Sequence, residues 1–134
     1  MATGTAGSTA RQLHTQQTHY LRKRVLFSDV AGGVVGVLPD EAIVLRGTTY
    51  IWEGFNDTTG DDIDIGVSGG DDDLFASAVD CNSAATTAFD DLANANQRIS
   101  GDTTVTWNFT TAATGDGSTG IADIVIEYVV DNDG

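Results

Sequence analysis

From Tyr20 onward, apolar residues tend to recur at alternate positions, and short stretches rich in Gly, Asp and Thr interrupt them. Period-two patterning bounded by turn residues predicts strands. Tyr20 to Phe27 is short and β-compatible, with Leu21, Val25 and Phe27 at odd positions and Arg22, Arg24 and Leu26 between them. Val34 to Leu38 is apolar and β-branched, and Pro39-Asp40 stops it. The longest candidate is Ile43 to Phe55, with Ile43, Leu45, Ile51 and Phe55 at odd positions and Val44, Arg46, Tyr50 and Trp52 at even ones. Both faces are partly apolar, which predicts a strand covered on each side, one cover being a sheet or another subunit. Asp62 to Gly66 alternates as a half-exposed strand, and Leu74 to Val79 reads as a short strand or turn. Thr103 to Thr110 alternates cleanly, with Val105, Trp107 and Phe109 on one face. In the last segment, Ile121 to Val130, the pattern sets Ile124, Ile126, Tyr128 and Val130 on one face, with Ala122, Val125, Glu127 and Val129 assigned to the other.

Asn82 to Gln97 is the one stretch with a helical trace, because Phe89, Leu92 and Ala93 fall at i, i+3 and i+4. Its Thr, Asn and Asp residues are weak helix formers, so a long loop with one helical turn is expected. About seven short β segments, with 16 Gly and a single Pro, predict an all-β, jelly-roll-like β-sandwich with an extended N-terminal arm. The last two strands are expected to form a hairpin across Ala112 to Gly120. Residues 1–19 are polar and without period, and read as an arm; residues 20–134 read as one domain.

Charge changes this picture. The chain has 6 Lys+Arg against 20 Asp+Glu, a formal charge of -14 and a pI near 4.1. Such a balance excludes a protein that coats nucleic acid or binds anionic membrane surfaces, since both need a cationic face. No apolar run reaches the ~20 residues that span a bilayer, and the first twenty residues lack the apolar core of a secretory signal. The charge is also unevenly placed. Residues 1–28 hold Arg11, Arg22, Lys23 and Arg24 and no acid, whereas the remainder holds Arg46, Arg98 and every carboxylate. The acids are almost all Asp, and Lys23 is the single lysine. Short carboxylates in excess with scarce lysine point to a salt-rich habitat, where a strongly hydrated surface stays soluble under screening.

Chemistry is scarce. His14 and His19 are the only histidines, both in or beside the arm, so a histidine-dependent catalytic site is not expected. Cys81 stands alone, which rules out an internal disulfide and favours a small buried apolar residue over a nucleophile. No phosphate-cradling, dinucleotide or zinc-protease motif is present. Asp71, Asp72 and Asp73 could offer oxygens to Ca²⁺, but their spacing does not fit an EF-hand, and a solvated acidic loop is the favoured reading; neither metal nor cofactor is expected. Tyr50, Trp52, Phe55 and Trp107 are expected in the core or an oligomer interface rather than on a sugar-binding face.

The order of elements resembles a family of small structural proteins of tailed bacteriophages and related archaeal tailed viruses. The resemblance rests on a basic, aromatic-flanked first strand (Tyr20 to Phe27), an apolar strand ending at Pro39, Phe55-Asn56 before a Thr/Gly turn, Asp64-Ile65-Gly66, a Gly/Asp loop leading to Phe75, and a closing Ile126-Glu127-Tyr128. It implies a non-enzymatic capsid decoration or cement protein, in which a homo-oligomer, commonly a trimer, sits on the outer face of the major capsid protein shell. Assembly in the host cytoplasm onto the virion would follow. Arg11, His19, Tyr20, Arg22, Lys23 and Arg24 would then contact the capsid. A tail, fibre or turret component, or a carbohydrate-binding β-sandwich module, stands as the alternative. The charge pattern alone makes one prediction: the protein melts at a higher temperature in molar salt than in dilute buffer, and equal melting temperatures in both would remove the salt-adaptation reading.

Overall fold

The computed structural model describes residues 18–130. Eight strands and one helical turn occur among them: β1 (His19–Leu26), β2 (Gly33–Leu38), β3 (Ile43–Glu53), β4 (Asp62–Val67), β5 (Ala76–Asp80), β6 (Ala85–Ala88), α1 (Asn94–Gln97), β7 (Thr103–Phe109) and β8 (Ile121–Val129). They form two four-stranded antiparallel sheets, β1-β8-β3-β6 and β2-β7-β4-β5. The pairs β1 with β8, β2 with β7, β3 with β6 and β4 with β5 are those of one long hairpin folded at its middle. Successive pairs alternate between the two sheets, which is the winding of a jelly roll.

This winding overturns the expected hairpin across Ala112 to Gly120. β7 lies between β2 and β4 in one sheet, and β8 lies between β1 and β3 in the other. The connection between them crosses from sheet to sheet. Ala85–Ala88 is an eighth strand where a loop was expected, because Thr86 and Thr87 find ladder partners in Tyr50 and Thr49 of β3. One helical turn follows at Asn94–Gln97, as the sparse pattern predicts.

The core lies between the sheets. It is built from Val25, Val44, Ile51, Ile63, Ile65, Val105, Trp107, Ala122, Ile124 and Ile126, with Phe55, Phe75, Phe89 and Phe109 closing its ends. Trp107 meets Phe109 edge-on at 5.4 Å between centroids, a geometry favoured by the ring quadrupoles. Ala122 belongs to the inner face with Ile124 and Ile126, and not to the opposite one, as strict alternation requires. In β3 a register shift between Val44 and Arg46 changes the parity of the strand. Val44 points inward before it, and Gly47, Thr49 and Ile51 point inward after it. β4 is more enclosed than its alternation predicts: Ile63 to Gly66 are all buried, and Asp64 Oδ1 accepts from Ala78 N at 2.8 Å and Thr110 Oγ1 at 2.7 Å.

Two carboxylates tie the loops at one end: Asp116 accepts from Thr58 N at 2.9 Å, and Asp57 makes the larger set of bonds. Asp57 Oδ1 accepts from the N–H groups of Thr59 (3.0 Å), Gly60 (2.9 Å) and Thr114 (3.0 Å), and Asp57 Oδ2 from that of Gly115 (2.8 Å). Asn56 Oδ1 adds bonds from Ser118 N and Thr119 N. The β3–β4 and β7–β8 connections are thereby joined through side chains rather than a ladder. At their base Gly120 has φ +146° and lies over Phe55, where a Cβ would come within 2.5 Å of the ring. The bonds from Thr59, Gly60, Thr114 and Gly115 hold the Asp57 carboxyl well below the usual carboxylate range, against its burial. A depressed folded value gives stability that is full above about pH 4 and fades as the pH falls further. Asp57→Ala is therefore expected to lower Tm by roughly 10 °C at pH 7 and by progressively less below pH 4, measured by circular dichroism. An equal loss at Asp72→Ala would contradict the assignment.

Candidate functional site

Among the described residues, the outer face of the sheet β1-β8-β3-β6 gathers charged and aromatic side chains on the solvent side, around one buried carboxylate. Alternation sends Tyr20, Arg22, Arg24 and Leu26 of β1 to this face. Asp123, Val125 and Glu127 of the central strand β8 and Arg46, Tyr50 and Trp52 of β3 join them, by the register Arg24↔Asp123↔Tyr50 and Arg46↔Glu127. Asp123 is the middle of the group and is only 1% exposed. It accepts from Arg22 Nη2 at 2.8 Å, from Arg24 Nε at 3.1 Å and Nη2 at 2.8 Å, and from Trp52 Nε1 at 2.7 Å. The Arg24 contact is a two-pronged fork, which fixes the guanidinium plane as well as its charge. A second register shift, between Ile51 and Glu53, sits at Trp52, and a bulge of this kind re-aims a side chain.

The electrostatics follow from the contacts. The Arg24 fork chiefly, with Arg22 and Trp52, holds the Asp123 carboxyl well below the usual range despite burial, and the same contact raises the Arg24 guanidinium. The carboxylate is consumed by its four donors. The groups around it remain open to solvent: Trp52 is 62% exposed and Tyr20 60%. Arg22, Tyr50, Trp52, Asp123 and Val125 line a shallow cleft of about 210 Å³. A second ion pair, Arg46 with Glu127, lies two outward positions along β8 on the same face, past Val125.

The other expected site residues fall elsewhere. Arg11 lies outside the described residues. His19 opens β1 and stacks on Tyr128 at 5.6 Å, and Lys23 is half-buried on the opposite side of the strand from Arg22 and Arg24. Phe55 and Trp107 are core residues, 3% and 1% exposed, whereas Tyr50 and Trp52 are not. The carboxylates of Asp71, Asp72 and Asp73 converge to within 4.8 Å of one another on an exposed loop. A hydrogen bond between the carboxyls pushes Asp71 up and Asp73 down. Burial beside Asp62, Asp61 and Asp80 pushes the Cys81 thiol up to about 12, so it is inert as a nucleophile at neutral pH. Sequence reasoning found the cations of β1 but missed Asp123, which reads as one more acid in an acid-rich chain. Its position among the apolar residues Ile121 to Ile126 of β8 was the available signal.

No protein-family model and no curated protein matches the chain. Solved structures do. A chain in the acidic stable capsid structure of Helicobacter pylori bacteriophage KHP30 superposes with a TM-score of 0.64 at 14% identity, over 84% of this chain and 87% of that one. A chain in the cyanophage Pam1 capsid asymmetric unit gives 0.65 at 17% identity, over 97% and 94%. A chain in the capsid of Ralstonia phage GP4 gives 0.61 at 17% identity, over 97% and 89%. The likeness is one of fold, shared over most of each chain, and it joins this jelly roll to chains of phage capsid structures, in line with the resemblance to phage structural proteins.

The Asp123 cluster can be tested without any partner. Asp123→Ala leaves Arg22 and Arg24 adjacent and frees Trp52. Because both guanidiniums are more than half exposed, solvent screens the loss, and a cost of about 1–2 kcal/mol in urea unfolding is expected at pH 7. The folded Asp123 carboxyl is depressed, so the difference from the parent protein should shrink as the pH falls below about 4. A difference independent of pH would refute the ion-pair origin.

Proposed function

We propose that this protein is a capsid decoration or cement protein of a phage, binding the outer face of the major capsid protein shell and stabilising it without catalysing a reaction. The observation that carries this reading is the shared fold with chains of three phage capsid structures, over most of both chains in each case. The residue chemistry agrees. Among the described residues the single thiol is buried and inert and His19 is stacked on a tyrosine, so no acid, base and nucleophile converge. The carbohydrate-binding alternative loses ground at the Trp52 cleft, because the carboxylate that would accept from sugar hydroxyls is already saturated.

In this reading the segment before β1, with Arg11, crosses onto the shell, and the acidic jelly roll stands on it as a homo-oligomer, a trimer at a local three-fold position. An arm laid across the shell adds contacts without a large rigid surface, and repeated capsid sites convert modest contacts into avidity. Deleting residues 1 to 17 leaves β1 whole. The truncated protein should keep the Tm of the full chain within a few degrees but co-sediment with undecorated shells at least about tenfold less well. Unchanged occupancy would contradict the role of the arm, and a cryo-microscopy position away from the shell would contradict the function.

A further inference from the structure

We infer that the outer face of the β1-β8-β3-β6 sheet is a docking face for a carboxylate-bearing protein surface, with Trp52 as its anchor. Resting on the capsid reading above, the partner is an acidic patch of the shell. Three observations converge.

The first is charge. Of Arg22, Lys23, Arg24, Arg46 and Arg98, the cations among the described residues, three lie on this one face, where they meet Asp123 and Glu127. The rest of the described surface is dominated by Asp. Asp123 and Glu127 balance two of the three charges, but they lie 2% and 15% exposed beneath guanidiniums that are more than half exposed, so the face presents cationic donors on a strongly acidic molecule and favours an acidic partner.

The second is unspent donors. A guanidinium has five N–H groups. Among the described residues Arg24 directs its Nε and one terminal nitrogen at Asp123, and Arg22 a single terminal nitrogen. The remaining donors are held in place by a buried carboxylate and stand half exposed. Backbone carbonyls or carboxylates of a partner complete them.

The third is the pinned indole. Trp52 keeps most of its surface in water while its only polar atom is tied to Asp123. Nothing in the core requires this, because the whole group is on the solvent side of the sheet. A fixed, exposed Trp beside Tyr50, on a face that also shows Tyr20 and Leu26, has the composition of an interface centre, in which a rigid aromatic loses little entropy on binding. Strands ~4.8 Å apart, each showing residues at a rise of ~3.3 Å, give a patch roughly 15 by 20 Å, little more than about a third of one side of a standard interface. Each contact is therefore weak alone and effective when many are made on one shell.

The experiment uses the full chain and undecorated shells. Binding isotherms are measured for the parent protein, Trp52→Ala, Arg22→Gln and, on the other sheet, Val34→Ser, with circular dichroism to verify folding. The expected result is binding at least roughly 30-fold weaker for Trp52→Ala, several-fold weaker for Arg22→Gln and unchanged for Val34→Ser. Arg22→Gln keeps a side chain of similar reach, so it reads the face even if Trp52→Ala folds poorly. Parent protein that binds shells while both face variants bind equally well overturns the docking face and leaves the capsid reading standing. Parent protein that binds no shell overturns both. Dissociation of an oligomer of the free protein by Trp52→Ala, seen in sedimentation velocity with shell binding per protomer intact, makes the face a contact between copies and also overturns the proposal.

Discussion

β8 is paired along both of its edges, to β1 on one side and to β3 on the other, and the molecule closes on that double pairing. A jelly roll wound from one nested hairpin is only as secure as the strand that receives the chain's first strand. Here the residues of β8 divide the work. Ala122, Ile124 and Ile126 form the floor of the core, and Asp123 holds three side chains from the two flanking strands on the opposite face. A carboxylate at that position is costly unless it is fully bonded, so the pairing of β1 and β3 is a condition for burying it.

Two Asp residues do the most in a chain with seventeen of them. Asp57 gathers backbone N–H groups from two loops, and Asp123 gathers cationic and indole donors from two strands. Both have carboxyls driven far down by their donors, whereas Asp62 and Asp71 are driven up by burial or by neighbouring acids. The same residue type is thus favoured as the anion at Asp57 and Asp123 and disfavoured as the anion at Asp62 and Asp71. Net charge describes only the crowd. What each Asp contributes is set by the donors around it.

The apolar content of β3 looked excessive for one buried face, and the structure gives the reason. Register shifts at two points change which residues face inward, and the side chains left outside include Ile43, Leu45, Tyr50 and Trp52. Bulges of this kind cost ladder hydrogen bonds and gain a re-aimed side chain. At Trp52 the re-aimed indole joins Arg22 and Arg24, which makes a cationic, aromatic face on an acidic protein.

The strands, the turns between them and the inward set of Val105, Trp107, Phe109, Ile124 and Ile126 were legible in the alternation of residues, because the two-residue period of a strand is a local property of the backbone. The number of short strands and their Gly-rich punctuation carried the reading further, to a jelly-roll-like sandwich. Pairing was not legible. Backbone hydrogen bonds are the same for every residue, so nothing in β7 or β8 declares that they avoid each other. β6, a strand of four residues with two threonines, exists only because β3 offers it an edge. The Asp123 cluster was hidden for the same reason: Arg22 and Arg24 lie 101 and 99 residues away from it along the chain, and only the nested winding makes them neighbours. The sequence by itself determined every strand but β6, and the apolar face of strands such as β7 that carry no bulge. The tertiary structure alone decided which strands meet and where the bulges fall, and so which polar side chains converge, since these depend on long-range contacts that no local pattern encodes.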